Sequence, residues 1–224
     1  MTNLLRRNSV FIGLSLMLIV ALGLALLCVS KGDLHLSLCD HHTHARDIFF
    51  RYYTQVAEWF PYVVCIALLL FSRIGDGVFA SVCMITSALT TQLFKHIINA
   101  PRPITWFAEH MPDVTLPMAD NVQVHAWYSF PSGHTTSFFA LAFVASILVT
   151  KSSIINHQSS IALQILLVIL ATLGAYSRIY LSQHFALDVL GGIIIGLGIT
   201  MLFYAVFVRS RDKKWYNYRL FSKK

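Results

Sequence analysis

Charged side chains are scarce in this chain of 224 residues. Asp, Glu, Lys and Arg make up 12% of it, about half the share of a typical soluble protein. The hydrophobic content of 56% excludes an intrinsically disordered chain, and four cysteines are too few for a disulfide-stabilised scaffold of this length. The sequence has no Ser- or Gly-rich linker and no visible internal repeat. These absences predict one membrane domain over residues 1–224.

Acidic residues are the scarcest charged class, with 10 Asp and Glu against 17 Lys and Arg, for a formal charge of +7. Nucleic-acid-binding proteins also have a basic excess, but they concentrate it on one solvated face. Here many of the cations flank apolar runs, which is typical of membrane proteins with positive cytoplasmic ends. We therefore expect a bilayer around the protein and no nucleic-acid partner.

Long apolar runs, in contrast, are abundant. The first, Phe11–Val29, contains no charge and as a helix is long enough to cross the hydrocarbon core. It is longer than the apolar part of a signal peptide and no clear cleavage site follows it, so we interpret it as a retained span. Five further stretches are Phe60–Phe71, Val78–Phe94, Thr135–Thr150, Ile161–Tyr176 and Phe185–Val208. The sequence thus predicts an all-α fold, a polytopic bundle of six transmembrane helices.

The distribution of Lys and Arg predicts the orientation of these spans. With the N-terminus in the cytoplasm, 11 of the 17 cations lie on the cytoplasmic side, and the positive-inside rule favours that arrangement. The six outer cations are Lys31, Arg46, Arg51, Lys95, Arg102 and Arg178. The connection from His96 to Gly133 then faces outwards, and it is longer than a simple connection needs to be, which indicates a functional role.

Several ionisable residues lie at the outer helix ends, where charge close to hydrocarbon is costly and usually marks function. His184 and Asp188 are four residues apart, on one face of a helix, so the carboxylate can accept the Nδ1–H of the imidazole. That bond would leave Nε2 free as a nucleophile or a base. The alternative is a structural His–Asp pair that closes a helix end.

Cations accompany this pair at two other helix ends. Lys95 ends the third span, and Arg102 follows seven residues later in a Pro-x-Pro turn. Pro103 prevents a helix from continuing through Arg102, which is therefore presented by a stiff turn above the membrane. Arg178 ends the fifth span. For Lys95 alone, an ordinary interfacial cation is the alternative.

The segment Pro131-Ser132-Gly133-His134 precedes the fourth span. Ser132 is a suitable N-cap, and its hydroxyl, the Gly133 N–H and the helix N-terminus together favour an anion. A plain cap with an incidental His134 is the alternative. Arg binds phosphate through a two-pronged fork and Lys binds it as a point charge. The three segments together predict a phosphate site that uses cations and a histidine and needs no metal or other cofactor.

Two further groups in the outer segments have open interpretations. His41, His42 and His44 lie beside Asp40, and we favour a solvated loop over a metal site because His-rich tracts are only compositional hints. The long connection carries four aromatic residues, for which interfacial anchoring is favoured over lining of a substrate entrance. These four are Trp106, Phe107, Trp127 and Tyr128.

The three charged segments resemble the motifs of the type-2 phosphatidic acid phosphatase (PAP2) superfamily, which also contains vanadium haloperoxidases. The family pattern is Lys-x6-Arg-Pro, then Pro-Ser-Gly-His, then Ser-Arg-x5-His-x3-Asp. Every position is matched in order between Lys95 and Asp188. Six predicted spans make the chain similar to the membrane lipid phosphatases of the family rather than to the soluble haloperoxidases.

The resemblance implies a role for each motif residue. His184 would attack phosphorus and form a phosphohistidine, Asp188 would hold and charge-balance His184, and His134 would protonate the leaving oxygen. The groups that would hold the phosphoryl oxygens are Lys95, Arg102, Ser132, the Gly133 N–H and Arg178. Water would then hydrolyse the phosphoenzyme, so the expected activity is that of a metal-independent phosphoric ester or diphosphate hydrolase.

A site at the outer membrane boundary favours a lipid whose phosphate lies at the level of the headgroups. Substrates of resembling bacterial enzymes include lipid A phosphates, undecaprenyl diphosphate and phosphatidylglycerophosphate, and the motifs do not separate them. We expect an inner-membrane enzyme of a bacterium that acts on an envelope lipid from the periplasmic side. The alternatives are a lipid phosphotransferase and a phosphatidylglycerophosphate or phosphatidic acid phosphatase. A non-catalytic lipid binder is disfavoured because it would not need both His134 and His184.

Overall fold

The structure is a computed structural model that describes residues 6–151, 156–210 and 213–219, without the side chain of Trp59. Three of the predicted cytoplasmic cations, Arg211, Lys223 and Lys224, lie outside the described residues. The described chain is helical and contains no β-strand, which confirms the all-α prediction. All four cysteines are free.

The helices follow one another with short connections, except between the sixth and the seventh. They are α1 (Ser9–Cys28), α2 (Lys31–Cys39), α3 (His44–Tyr53), α4 (Trp59–Ser72), α5 (Ile74–Ile98), α6 (Pro103–His110), α7 (Gly133–Lys151), α8 (His157–Tyr180), α9 (Ala186–Phe207) and α10 (Lys214–Asn217). Two 3₁₀ turns, Thr54–Ala57 and Val208–Ser210, follow α3 and α9.

Five stretches of the described chain are long and apolar enough to cross a membrane. They are α1, α5 together with α6, α7, α8, and α9 with its 3₁₀ turn. The sixth span exists only as a bent pair, in which α3 and its 3₁₀ turn meet α4 at 46°. The 14 residues of α4 are fewer than the roughly 20 that a straight span requires. The prediction of six spans is confirmed in this form, with the second span broken.

The centre of the bundle is α7. Of the residues in the membrane-spanning stretch of α7, 56% are buried inside the protein, against 11% for α1. α7 packs against α5, α8 and α9, and its Phe139, Phe143 and Ile147 are almost completely buried. α1 packs on α8 and α9 from outside, which leaves most of its apolar surface for lipid.

Two glycines allow α9 to approach α7 closely. A Cβ atom on Gly192 would lie 2.7 Å from the carbonyl oxygen of Ser132, and one on Gly196 would lie 2.6 Å from that of Thr136. A larger residue at either position would push the helices apart. The close approach brings the start of α9 against the start of α7, where the Ser132 N–H donates to the Asp188 carbonyl oxygen at 2.9 Å.

An ion pair closes the end of the bundle at which α5 begins, which we call the Asp76 end. Lys151 Nζ lies 2.9 Å from Asp76 Oδ1, and the Tyr216 hydroxyl donates to the same oxygen at 2.7 Å. Tyr216 belongs to α10, and its ring occupies the space that a Cβ on Gly75 would need. These contacts attach the C-terminal segment to the bundle and join the start of α5 to the end of α7.

Candidate active site

The turn after α5 presents two of the predicted site residues at the opposite end of the bundle, which we call the His184 end. α5 stops because Asn99 adopts a left-handed conformation with φ 44°, and its N–H donates to the Lys95 carbonyl oxygen at 2.9 Å. Asn tolerates this conformation better than most residues. Arg102 then has an extended backbone, and Pro103 begins α6 at a position where a missing N–H costs nothing.

Neutral groups hold the guanidinium of Arg102. Its Nε donates to the Trp127 carbonyl oxygen at 2.9 Å, and Nη1 donates to Gln183 Oε1 at 2.8 Å. The amide nitrogen of Gln183 donates in turn to the Gln123 carbonyl oxygen at 2.8 Å. Among the described residues, no carboxylate lies within ion-pair distance of Arg102. The positive charge is therefore oriented but not neutralised.

Arg178, at the end of α8, is held in a similar way. Its Nη1 donates to Thr54 Oγ1 at 2.7 Å, and Thr54 begins the 3₁₀ turn after α3. Its Nε is buried and has no hydrogen-bond partner within the described part of the chain. A buried N–H group without a partner is rare and costs roughly 1–3 kcal/mol. An anion bound next to Arg178 would remove that cost.

The turn after α8 places His184. Ser182 has a left-handed φ of 48°, and the N–H groups of Gln183 and His184 both donate to the Arg178 carbonyl oxygen, at 3.0 and 3.1 Å. From α2, His35 Nε2 lies 3.3 Å from Ser182 Oγ and supports the turn from behind. His184 and Arg178 are thus held by one short turn, and the imidazole is buried.

His184 and Asp188 lie side by side, but not on one helical face as predicted, because α9 begins at Ala186 and His184 lies in the turn before its N-cap Phe185. Nδ1 of His184 is 3.5 Å from Asp188 Oδ2, which is longer than a hydrogen bond. The same Oδ2 accepts from Ser129 Oγ at 2.5 Å and from the Phe185 N–H at 2.8 Å. Catalytic hydrogen bonds are often long before substrate binds. A direct bond from Nδ1–H to Asp188 stays a prediction, while the electrostatic contact is present.

The surroundings of His184 favour its neutral form. Burial lowers the pKa of His184 well below its usual value, and the positive charges of Arg102, Arg178 and Lys95 lower it further. A neutral imidazole retains a lone pair on one nitrogen, which a nucleophile or a base requires. The cations therefore serve two purposes, since they attract an anion and also keep the histidine unprotonated.

The start of α7 forms another wall of the site. Ser132 Oγ accepts from the Thr135 N–H at 3.4 Å and from the Thr135 hydroxyl at 2.9 Å, so Ser132 caps the helix as predicted. Gly133 and His134 follow in the first turn and face the cavity described below. Ser132 itself is fully buried behind them. Ser132 is therefore absent from the described residues that line the cavity, where its predicted contact with phosphate would be made.

A cavity of about 610 Å³ joins these elements. It is lined by six of the eight predicted site residues, which are Lys95, Arg102, Gly133, His134, Arg178 and His184. The other two, Ser132 and Asp188, lie behind its wall. Arg51 adds a fourth cation, and Glu58 is the single carboxylate among the described lining residues. Such an excess of positive charge suits an anion with more than one negative charge.

Three residues that the sequence analysis missed hold the predicted ones in position. Thr54 accepts from Arg178, Gln183 accepts from Arg102, and Ser129 donates to Asp188. They are uncharged and each comes from a different segment of the chain, so neither charge nor periodicity identifies them. Only Gln183 had a sequence signal, because it directly precedes His184 in a turn.

One of the three histidines of the first outer segment, His42, contributes to packing. His42 Nδ1 lies 2.9 Å from Asp47 Oδ1, and its ring stacks on Tyr180 with a centroid distance of 4.4 Å. Tyr180 thus partly covers His42, whereas His41 and His44 are exposed, as expected of a solvated loop. Within the described residues, no group of three or more His, Cys, Asp or Glu side chains is arranged to hold a metal ion.

The four aromatic residues of the long connection are absent from the described lining of the cavity. Phe107 is buried, and Trp106 stacks on His110 with Lys31 Nζ 5.0 Å from its ring centre. Trp127 and Tyr128 are 44% and 43% exposed. Exposed Trp and Tyr side chains suit the membrane interface, which agrees with anchoring for Trp127 and Tyr128 but not for the buried Phe107.

Comparison with known families agrees with this geometry. The sequence pattern of the PAP2 superfamily matches residues 76–212, which is more than half of the chain. The chain therefore belongs to the PAP2 superfamily. Together with its apolar helices, this makes it a multi-pass membrane protein and a phosphoric ester hydrolase of the lipid phosphatase kind.

Two curated relatives are named for different lipid substrates. The chain is 30% identical to the lipid A 4'-phosphatase of Porphyromonas gingivalis, over 72% of this chain and 67% of the relative. It is 27% identical to the undecaprenyl-diphosphatase BcrC of Bacillus subtilis, over 74% of this chain and 77% of the relative. Similarity of this order supports the family and leaves both kinds of substrate open.

Two crystal structures share the fold. LpxE of Aquifex aeolicus has a TM-score of 0.62 and 22% identity, over 79% of this chain and 96% of that one. The transmembrane PAP2-type phosphatidylglycerolphosphate phosphatase of Bacillus subtilis has a TM-score of 0.61 and 20% identity, over 93% and 99%. At such identities the likeness establishes the transmembrane PAP2 fold alone.

Proposed function

We propose that this protein removes phosphate from a monoester or diphosphate of an envelope lipid, of the lipid A phosphate or undecaprenyl diphosphate type, through a phosphohistidine on His184. The observation that carries the proposal is the cavity in which Lys95, Arg102 and Arg178 face the buried imidazole of His184 and, among the described residues, have no carboxylate within ion-pair distance. The two curated relatives, which are named for those two kinds of lipid, support the substrate class.

In the first half-reaction, Nε2 of His184 attacks phosphorus. The P–N bond forms while the bond from phosphorus to the lipid oxygen breaks. Lys95, Arg102 and Arg178 hold the phosphoryl oxygens and stabilise the negative charge that they share in the transition state. As the imidazole becomes cationic, the carboxylate of Asp188, 3.5 Å from Nδ1, balances its charge.

His134 is the proposed general acid. It lines the main cavity and also a second one of about 180 Å³, which lies between α5, α7 and the 3₁₀ turn after α3. Because His134 lines both cavities, we place the leaving lipid oxygen next to His134 and the start of the lipid in the second cavity. In the first half-reaction His134 gives its proton to the leaving lipid oxygen. In the second half-reaction it accepts a proton from water, the water oxygen bonds to phosphorus, the P–N bond breaks with its electron pair returning to His184, and phosphate leaves.

Gly133 and Ser132 complete the proposed phosphate contacts. Gly133 lines the cavity at the N-terminus of α7, where the helix dipole favours an anion. Ser132 Oγ accepts both of its described hydrogen bonds from Thr135, so the hydroxyl proton remains for donation. We propose that it reaches the phosphate through a small rotation that accompanies binding.

The proposed location is the inner membrane of a bacterium, with the His184 end in the periplasm, as the cation distribution favours. An exposed residue of the long connection tests this orientation. Trp127→Cys should react with a membrane-impermeant thiol reagent in intact spheroplasts, and the parent protein, with its four native cysteines, is the control. Labelling of Trp127→Cys only after lysis would contradict the periplasmic site.

The chemistry is tested with the purified protein in detergent. Phosphate release is measured with lipid A, undecaprenyl diphosphate, phosphatidylglycerophosphate and phosphatidic acid, each with and without EDTA and vanadate. We expect release that withstands EDTA, because the described site offers cations where a metal phosphatase has carboxylates. Vanadate, which mimics pentacoordinate phosphorus, should inhibit. Activity that disappears in EDTA and returns with Mg²⁺ would contradict the mechanism, and transfer of phosphate to a second lipid would replace hydrolysis by phosphotransfer.

A further inference from the structure

We propose that Arg51 forms a second phosphate subsite in the active-site cavity and that the enzyme therefore favours a lipid diphosphate over the monophosphate of the same lipid. The inference rests on the proposed function, because it requires the first phosphate to be held by Lys95, Arg102 and Arg178. It narrows the substrate from any lipid phosphate to one with two linked phosphates.

The hydrogen bond between Arg178 and Thr54 indicates where Arg51 lies in the cavity. Arg51 and Thr54 are three residues apart in the continuous segment of α3 and its 3₁₀ turn, so they share a face, with roughly 5–6 Å between their Cβ atoms. Thr54 accepts a hydrogen bond from Arg178 Nη1 at 2.7 Å. Arg51 therefore lies about one helical turn from the Thr54 that holds Arg178, and all three residues line the same cavity.

No carboxylate in the described chain forms an ion pair with Arg51. Among the described residues, its guanidinium donates a hydrogen bond only to the hydroxyl of the adjacent Tyr52, at 3.3 Å, and lies 5.0 Å from the centre of that ring. Glu58 lines the cavity but is exposed and lies outside ion-pair distance. A partly buried Arg fork without a carboxylate suits two oxygens of a phosphate group.

The net charge of the cavity indicates the size of the anion. Four cations and one carboxylate line it, a net charge of +3 for the lining, and the carboxylate of Asp188 lies behind the wall, 3.5 Å from His184. A phosphate monoester carries about −2 at neutral pH, and a diphosphate adds a further negative charge. The volume of about 610 Å³ also exceeds the needs of one phosphate, since a water molecule takes about 30 Å³ in the liquid.

The subsite has a defined place in the reaction. With the terminal phosphate on the motif cations, attack by His184 forms a P–N bond and breaks the bond between the terminal phosphorus and the bridging oxygen. The electron pair stays on that oxygen, and a lipid monophosphate leaves. Arg51 stabilises the charge that develops on this leaving phosphate. Because a phosphate is a weaker base than an alkoxide, the reaction needs the proton of His134 less.

The test compares two substrates that differ in one phosphate, farnesyl diphosphate and farnesyl monophosphate, with the full-length protein in detergent. The measured quantity is the ratio of kcat/KM for the diphosphate to kcat/KM for the monophosphate. The ratio should be well above one in the unmodified protein. Arg51→Ala should lower it by about tenfold or more, as expected for loss of a hydrogen-bonded charge. Arg51→Lys, which keeps the charge and loses the fork, should give an intermediate ratio.

Arg46→Ala is the matched control. Arg46 lies on the same helix α3, but it lines a separate aromatic groove with Phe49 and Tyr176. Its replacement removes the same charge from the same helix and should leave the ratio unchanged. Inhibition by methylenediphosphonate and by orthophosphate provides a second measurement. Arg51→Ala should raise the inhibition constant of methylenediphosphonate about tenfold more than that of orthophosphate. Inhibition by orthophosphate that is retained also shows that the variant is folded.

The outcomes separate this inference from the proposed function. A protein that hydrolyses monophosphates without preferring diphosphates contradicts the subsite and leaves the proposed function in place. Equal loss in Arg51→Ala and Arg46→Ala, or no loss in Arg51→Ala, contradicts it as well. If the unmodified protein releases phosphate from no lipid and vanadate does not bind, the proposed function fails and the subsite fails with it.

Discussion

The two ends of the helix bundle both contain charge in partly or fully buried positions, and they balance it differently. At the Asp76 end, Lys151 lies 2.9 Å from the carboxylate that also accepts from Tyr216. At the His184 end, Arg102 and Arg178 donate to an amide, a hydroxyl and a carbonyl oxygen. The first arrangement is neutral as it stands, and the second is neutral only when an anion enters.

The difference separates a structural pair from a binding site. A desolvated ion costs several kcal/mol unless an opposite charge compensates, so unpaired buried cations lower the stability of the empty protein. A ligand that binds only the folded state returns that stability in proportion to its concentration and affinity. Neutral partners such as Gln183 and Thr54 fix the direction of each guanidinium and leave its charge available. The predictions below test this contrast, beginning with the largest effect.

Replacement of the nucleophile should abolish activity while the opposite end stays intact. His184→Ala removes the atom that attacks phosphorus, so turnover should fall by about 10⁴-fold or more, and no acid-labile phosphate should be trapped on the protein. Rapid acid quench with ³²P-labelled substrate measures both quantities. Substantial turnover in His184→Ala, or labelled phosphate on His134, would show that the roles are assigned wrongly.

Loss of the general acid should depend on the leaving group. His134→Ala should lower hydrolysis of a lipid monoester by roughly 10²–10⁴-fold. The loss should be much smaller for p-nitrophenyl phosphate, whose phenolate leaves without a proton. Steady-state rates for both substrates test the assignment. An equal loss for both would mean that His134 binds phosphate rather than donating a proton.

A carboxylate placed beside Arg102 should make the His184 end resemble the Asp76 end. Gln183→Glu provides that carboxylate next to Arg102, and the inhibition constant for vanadate should rise about tenfold or more. Because the new carboxyl loses its charge when protonated, affinity should recover as the pH falls through its pKa, which is about 4.3 when unperturbed.

Gln183→Met is the control for this change, since it removes the hydrogen bond to Arg102 and adds no charge. It should weaken vanadate to a similar degree at every pH, because nothing titrates at that position. A pH profile of vanadate inhibition that is the same for Gln183→Glu and Gln183→Met would contradict the charge argument and leave only a steric effect.

The acid limit of activity should reflect the surroundings of His184. Burial and three cations lower the pKa of His184, so the free enzyme loses its nucleophile only when the pH falls below the ordinary histidine value of about 6.5. The acid limb of kcat/KM against pH should therefore lie below 6.5 for a substrate whose own charge is constant there. Replacing Lys95 by Met removes one of these cations and should move the limb towards higher pH, and a shift in the other direction would contradict the electrostatic cause.

Removal of the structural pair should leave catalysis almost unchanged. Asp76→Asn separates Lys151 and Tyr216 from their carboxylate, which should lower the free energy of unfolding by about 1.5–3 kcal/mol. kcat/KM should change by less than about twofold, because the pair lies at the opposite end of the bundle from the cavity. Thermal unfolding in detergent and phosphate release measure the two effects, and a large loss of activity in folded Asp76→Asn would remove the distinction between the ends.

Local relations in the chain were predictable. His184 and Asp188 are only four residues apart, so they had to lie close together, although the turn before α9 and not the helix period sets their contact. The apolar runs located the spans within a few residues, since crossing a bilayer requires about 20 apolar residues in sequence. The second span departed from this pattern: α4 has 14 residues and completes a span only with α3, at a bend that hydropathy does not encode.

The contacts that position the site were not predictable. Thr54 is 124 residues from Arg178, Gln183 is 81 from Arg102, and Ser129 is 59 from Asp188 in the sequence. Each partner is a neutral polar residue of a kind found throughout the chain, and its choice depends on which helix ends meet.

The sequence by itself determined an all-α membrane bundle, its motif residues and a surplus of positive charge at three helix ends. Only the tertiary structure decided that six of the motif residues line one cavity, that Ser132 caps α7 behind its wall, and that Arg51 joins them. The reason is physical: apolar runs and helical spacing act within one segment, whereas the direction of a buried guanidinium depends on hydrogen-bond partners that packing brings from distant segments.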